Sequence, residues 1–479
     1  SGPWAHYGGM KARSSRYAVP GPRGSQVAAV LASLARDPLG GYVRLAARYG
    51  DTVRFPYSPG SGFYLLSRPE HAEHVLAANQ DNYVKAFTYR PLRALIGDGL
   101  LTSEGDRWRR HRRLIQPLFS RRHVASFSPA MTDAAQRLTA RWDRLPDGTV
   151  INVAAQLSAV TLDIVGRALF GSDLTSEADQ VGRAMDAGQR VAMLATFVPL
   201  AWGPRSTRAL KVVARSVGHT PEGIEGPVGR IVSGRRAAAR DSGCHADDAS
   251  GGDLLDVLLA ARAPDGSPLT DAEICDEVAT FMLAGHETTA NTMSWTLALL
   301  SAYPPARQQL EAEVDSVLAD RDPEAGDADK LPWTRAVVSE ALRLYPPAWT
   351  IERDALADDE VAGTEVPAGS LVAIPPYLIH RHPDFWPDPA GFDPRRFLAA
   401  NEAAPGNGQP AHRYAYIPFG GGRRACVGAS FAELETVLVL ATIARRYRLE
   451  LTVHGIPAPS ANVTLRPGRG LPMRLLRRS

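Results

Sequence analysis

Toward the C-terminal end, the run Phe419-Gly420-Gly421-Gly422-Arg423-Arg424-Ala425-Cys426-Val427-Gly428 combines three features that bear on chemistry. A string of glycines lets backbone approach another group closely. Two arginines precede a cysteine, and a helical pattern starts directly after it at Gly428-Ala429-Ser430-Phe431-Ala432-Glu433. A cysteine placed at a helix N-terminus beside cations reaches the thiolate form readily. A thiolate is a metal ligand or a nucleophile. No second cysteine lies nearby and there is no CxxC pair, which disfavours a zinc or iron–sulfur site. A nucleophile would want a histidine base from elsewhere in the chain, which the sequence leaves open. The plain alternative is an inert, buried cysteine after a glycine turn.

A second segment, Ala284-Gly285-His286-Glu287-Thr288-Thr289, lies inside a long helical pattern over 269–302. Glycine in a helix interior costs about 1 kcal/mol relative to alanine, so it wants a reason. Glycine followed by threonine hydroxyls is one recipe for a local opening of the helix ladder. An acid and an alcohol side by side at such an opening can relay protons. The plain alternative is a helix whose threonine hydroxyls bond back to carbonyls. Two further spacings matter. Trp108 and Arg112 are four apart, hence on one helical face, where an indole N–H and a guanidinium can clamp a carboxylate. Glu340 and Arg343 form an i,i+3 acid–base pair on a helix over about 333–344.

These residues sit in a mostly helical chain. Apolar residues recur at three- and four-residue spacing through 106–140, 152–170, 183–199, 226–240 and 269–302, and a last helix fits 428–446. Helical patterns also cover 27–34, 42–49 and 70–80. A hairpin is expected from Thr52–Pro56 and Phe63–Leu66, with further short strands near 365–366, 371–374, 448–454 and 461–466. The expected fold class is mainly α with a small β portion (α+β). A flexible tail is expected at 1–16, with Ser1-Gly2-Pro3 read as a cleavage remnant, and one domain at 17–479. Apolar residues at 44%, charged residues at 22% and a net charge of +3 suit a soluble globular protein and give no case for nucleic acid. Three cysteines (Cys244, Cys275, Cys426) make no disulfide framework and fit a reducing compartment. No stretch of about 18 apolar residues is found, so no transmembrane anchor is expected. With no signal-peptide pattern either, a cytoplasmic protein follows, expected to be monomeric.

The spacing Phe419-x-x-Gly422-x-Arg424-x-Cys426-x-Gly428 resembles the haem-binding signature of the cytochrome P450 superfamily, matching at every signature position. The resemblance runs from about residue 17 to 470, because the family's other motifs follow in order. It implies a haem-thiolate monooxygenase of the soluble bacterial type. The family's fold has a long distal helix, with the haem between that helix and the cysteine segment. It further implies haem b with Cys426 as axial ligand to the iron, Phe419 and Gly420 beside the thiolate, and Arg424 at a propionate. Ala284, Glu287 and Thr288 fall on the family's oxygen-activating helix, Thr288 as the oxygen-facing alcohol and Glu287 as the acid. His286 falls at a variable position and is given no role. Trp108 and Arg112 map to one propionate contact and Arg353 to the other, with His380 a further haem neighbour. Glu340 and Arg343 map to a buried pair that locks against Arg396 in the loop Phe392-Asp393-Pro394-Arg395-Arg396-Phe397. Here Arg395 stands where the family usually has an acid.

The family's substrate-facing segments map onto Phe87, Phe197, Trp202, Phe281 and Met282, and onto Ala348, Trp349, Ile351, Val463 and Leu465. Their mostly apolar character favours a fatty acyl, terpenoid or similar secondary-metabolite precursor over a sugar or nucleotide. The reaction implied is hydroxylation or epoxidation with O2 and two electrons. No nucleotide or flavin fingerprint is found, so a ferredoxin or flavodoxin with its reductase is expected as electron donor. Arg112, Arg395, Arg396, Arg413, Arg423 and Arg424 offer positive charge to such an acidic partner. The competing readings are a peroxide-driven peroxygenase, a non-catalytic haem-binding protein and a helical protein without cofactor.

Overall fold

The computed structural model describes residues 19–58, 61–174, 188, 225–241, 253–262, 266–398, 412–468 and 470–478. The elements that frame the site are, in chain order, helices α1 (Ser25–Arg36) and α2 (Pro38–Tyr49), strands β1 (Thr52–Ser58), β2 (Ser61–Leu66) and β3 (Tyr83–Lys85), and helices α3 (Gly105–Ile115) and α4 (Ser128–Trp142). Strand β4 (Val150–Asn152), helices α5 (Val153–Phe170), α6 (Asp271–Ala302) and α7 (Pro332–Leu344), and strands β5 (Ile351–Ala355) and β6 (Leu371–Ile374) follow. Helix α8 (Ala429–Arg446) and strands β7 (Tyr447–Leu451) and β8 (Pro472–Arg477) close the series. The mainly α, minor β class expected from periodicity is the class found.

Local chemistry sets the helix starts. Asp37 accepts the Gly40 N–H at 3.0 Å, with Pro38 in the first turn of α2. At α6, Thr270 Oγ1 accepts the Glu273 N–H at 3.2 Å, and Glu273 Oε2 accepts the Thr270 N–H at 2.9 Å. This reciprocal box satisfies two amides that the helix cannot. The periodic run 106–140 breaks into α3, a 3-10 turn at Gln116–Phe119, a short helix at Arg121–Ser126, and α4. Pro117 and Pro129 lack the N–H that a continuous helix needs at those points. The pattern at 70–80 is likewise not one α-helix: Pro69–Glu73 passes into a π turn over His74–Ala78.

The chain groups into two compact units. The first comprises residues up to 88, 339–426 and 459–465. Its centre is a five-stranded sheet of order β1-β2-β6-β5-β3, in which β2 and β6 are parallel and the other pairs antiparallel. Leu65, Leu66, Val372 and Ile374 fill its core. The second comprises 89–338, 427–458 and 466 onward. In it α5 packs along α6, and a three-stranded sheet runs β4-β8-β7. Helix α5 corrects one expectation: by length and composition it is apolar enough to span a bilayer, yet 67% of it is buried inside the protein. Its partners α4 and α6 make it a core helix.

Candidate active site

In the first unit the glycines shape the cysteine loop. Gly420 and Gly422 have φ of 73° and 64°, in the left-handed region where a side chain is strained. Gly422 also has no room for one, since a Cβ there would lie 1.7 Å from the Leu76 carbonyl oxygen. The loop is then tied down. The Arg423 N–H donates to Gln80 Oε1 at 3.0 Å, and the Arg423 side chain pairs with Asp81. The Cys426 N–H donates to the Phe419 carbonyl at 2.8 Å, folding the segment back on itself. The outcome is an exposed Cys426 and half-buried Phe419, Gly420 and Arg424.

Behind this loop lies a buried polar network. Arg343 Nε and Nη2 donate to the two Glu340 carboxylate oxygens, both at 2.7 Å. Arg396 Nε is 3.4 Å from Glu340, and Arg396 Nη2 donates to the Asp388 carbonyl at 3.1 Å. The structure thus brings Glu340, Arg343 and Arg396 together. His380 belongs to the same network. Its Nε2 accepts the Ile417 N–H at 2.8 Å, and its Nδ1 faces the Arg343 carbonyl at 3.3 Å. Burial, then the charges of Arg343 and Arg381, push this imidazole down to about 3. A neutral ring with both nitrogens committed to backbone has no donor left for a propionate, so His380 is a brace for the Ile417 turn rather than the cofactor contact expected. Arg353 behaves differently. It is buried on β5, donates Nη1 to the Glu352 carbonyl at 2.8 Å, and has no carboxylate within ion-pair distance among the described residues.

In the second unit α6 is helical throughout Asp271–Ala302. Its glycine has a packing reason: a Cβ on Gly285 would lie 2.7 Å from Val165 Cγ2 on α5. Close helix passage thus takes the place of the local opening expected from the sequence. His286 reinforces the same contact, its Nε2 lying 2.6 Å from Ser158 Oγ. The Thr288 hydroxyl donates to the Ala284 carbonyl at 2.6 Å, the back-bonded geometry weighed against a proton role. That bond uses the hydroxyl's one hydrogen and leaves its oxygen to accept. Ala284, Glu287 and Thr288 are half-buried. On α3, Trp108 is buried and Arg112 half-buried, with Arg112 Nε donating to Gln116 Oε1 at 3.2 Å.

The apolar candidates divide. Ala348 is exposed, and Phe87 and Val463 are half-buried. Ile351 is buried at the start of β5. Met282 and Leu465 are fully enclosed by protein, and Phe281 stacks on Phe119 at 5.5 Å. Trp349 is buried with its indole N–H given to the Asn462 carbonyl at 2.9 Å. These four are packing residues, not the substrate contacts expected. Phe197 and Trp202 lie outside the described residues. Sequence reasoning missed the buried acids Glu277 and Glu435 and their neighbours His111 and Thr289. Each is a polar residue inside an apolar helical stripe, which is the signal that could have found them.

Among the described residues no group of three or more His, Cys, Asp or Glu could hold a metal ion. A metal at Cys426 that brings its other donors with it fits these described residues. One thiol on a tied-down loop and a buried guanidinium with no ion-paired carboxylate among the described residues suit an iron held in a ring that carries its own carboxylates. That donor set fits a haem-thiolate protein. The comparisons agree. Residues 20–471 match the cytochrome P450 family. A Mycobacterium tuberculosis protein described as a cytochrome P450 is 36% identical over 436 residues, covering 88% of this chain and 90% of the relative. Cyclooctat-9-en-7-ol 5-monooxygenase of Streptomyces melanosporofaciens is 33% identical over 425 residues, covering 87% and 86%. The crystal structure of the cytochrome P450DA heme domain matches with a TM-score of 0.81 at 27% identity, covering 96% of this chain and 98% of that one. The chain belongs to the cytochrome P450 family, and it is a cytochrome P450 monooxygenase.

Proposed function

We propose that this monooxygenase binds haem b through Cys426 and hydroxylates or epoxidises a largely apolar substrate. O2 and two electrons from a separate ferredoxin or flavodoxin with its reductase drive the reaction. The observation that carries this reading is the exposed Cys426 on a loop turned by two left-handed glycines, Gly420 and Gly422, the second with no room for a side chain. When bound, the haem supplies the iron at which dioxygen is activated. The chain's own residues do the rest. Arg353 and Arg424, and likewise the Trp108–Arg112 pair, would hold the carboxylates. Glu287 passes protons, and Thr288 Oγ1 accepts a hydrogen bond from the water that carries them. Half-exposed Phe87 and Val463, with Ala348 and Ile351, give an apolar lining. The Streptomyces relative's name describes an unsaturated hydrocarbon alcohol, which favours a terpenoid or fatty acyl substrate over a sugar or nucleotide.

The test is the absorption spectrum of the dithionite-reduced, carbon-monoxide-treated protein. A thiolate axial donor gives the strongly red-shifted Soret band, and Cys426→Ala abolishes it. A wild-type spectrum without that band overturns the reading. Thr288→Ala is expected to consume NAD(P)H without matching product, and unchanged coupling removes the role given to its oxygen.

A further inference from the structure

On α3 the polar side chain fully withdrawn from water is His111, which lies between Trp108 and Arg112 in sequence. It and Glu277 on α6 are both 0% exposed, with Nδ1 and Oε1 2.5 Å apart. A carboxylate oxygen only accepts, so the Nδ1–H donates. Glu277 Oε2 makes no hydrogen bond among the described residues, so His111 is this buried acid's one partner there. The other charged groups facing the ring are Glu273, 3.7 Å from Nε2, and Arg110, whose Nη2 is 3.4 Å from it. Asp276 lies within electrostatic reach. Arg110 pairs with Glu273, and Arg107 with Asp276 at 3.1 Å. Both outer pairs keep contact with solvent, while the His111–Glu277 pair does not.

We propose that His111, acting through Glu277, is a positioning residue that fixes the rotation of α3 and with it the presentation of Trp108 and Arg112 to the cofactor's carboxylate. This rests on the haem reading above. At about 100° per residue, His111, Trp108 and Arg112 fall within one arc of roughly 100°, with Trp108 in the middle. A small rotation of α3 that broke the buried bond would sweep both cofactor residues aside. The sealed bond resists such a rotation, because opening it leaves a buried carboxylate without a partner.

The test measures haem release to excess apomyoglobin, followed in the Soret band. His111→Leu is expected to release haem at least about tenfold faster than wild type. His111→Asn keeps an N–H where Nδ1 sits and is expected within about twofold of wild type. The discriminating measurement is a cycle with Arg112→Ala. If His111 works through that face, His111→Leu adds less than about twofold once Arg112 is gone. A full additional tenfold in that background, or wild-type release from His111→Leu alone, overturns the inference. Should His111→Leu not fold, Glu277→Met keeps similar volume, removes the acceptor and is judged by the same cycle. Wild type that holds no haem sinks the functional reading instead, so the two failures are distinct.

Discussion

Each unit seals charged side chains away from water, but on different terms. In the first, all five N–H donors of Arg343 are used: two on Glu340, and one each on the carbonyls of His380, Pro389 and Gly391, all between 2.7 and 2.9 Å. In the second, Glu277 has one oxygen bonded and one not. Glu435 on α8 has neither oxygen hydrogen-bonded among the described residues. A complete network in a low dielectric is rigid, whereas an incomplete one is sensitive to any change of charge. The difference separates a scaffold that carries the cysteine loop from buried acids whose state depends on their surroundings.

The sharpest way to break this comparison is Arg343→Ala. It takes from the fully buried Glu340 carboxylate the two Arg343 bonds, leaving it Arg396 and the Asp393 N–H, and removes the Arg343 donor from three carbonyls. A loss of about 3–5 kcal/mol is expected in urea denaturation, a large share of an ordinary domain's stability. Arg343→Lys keeps the charge but brings three donors in place of five, so it should recover less than half of that loss. A lysine variant as stable as wild type would show that charge, and not donor count, holds the network.

What could be read from the sequence follows the distance over which each interaction acts. The cysteine segment, Glu340 with Arg343, and Trp108 with Arg112 are local spacings, so residue types alone brought them forward. The conformational reason for Gly420 and Gly422 was equally local. The partners that define these residues were not. Arg343 depends on carbonyls 37, 46 and 48 residues away. Gly285 depends on Val165, on a different helix, and Glu277 on His111. His380 looked like a cofactor contact because of its loop, and only the Ile417 amide reveals its commitment to backbone. The same reasoning explains Phe281 and Met282. Apolar residues beside a functional segment look alike whether they line a pocket or fill the core.

A smaller and pH-dependent effect tests the other side of the comparison. Burial holds the Glu435 carboxyl well above the usual carboxylate range, with Thr289 opposing only in part. In the unfolded chain the group ionises at about 4.3. Above that pH the folded state binds a proton that the unfolded state has lost. Its contribution to stability is therefore complete below the unfolded value and declines as pH rises toward the folded one, by about 1.4 kcal/mol per pH unit. Glu435→Gln carries no such proton. Its stability relative to wild type is expected to rise as pH increases above about 5 and to level off once the folded carboxyl ionises, as measured by urea midpoints. Parallel pH profiles would mean that Glu435 finds a charge partner when folded.

The smallest effect concerns sterics, where the second unit is tight and not electrostatically incomplete. Gly285→Ala gains about 1 kcal/mol of helix propensity. Against that, the new Cβ meets Val165 Cγ2 at 2.7 Å. Valine in a helix has one strongly preferred rotamer and cannot swing away, so overpacking costs about 1–3 kcal/mol. The expected net change is a destabilisation of about 1 kcal/mol, from the difference of those two. Val165→Ala should cost less in the Gly285→Ala background than in wild type, because the added methyl occupies part of the space that valine vacates. If the glycine instead served to open the helix ladder, Gly285→Ala would stabilise the fold and the Val165 coupling would vanish. The sign of one unfolding measurement thus decides between packing and a built-in opening beside Thr288.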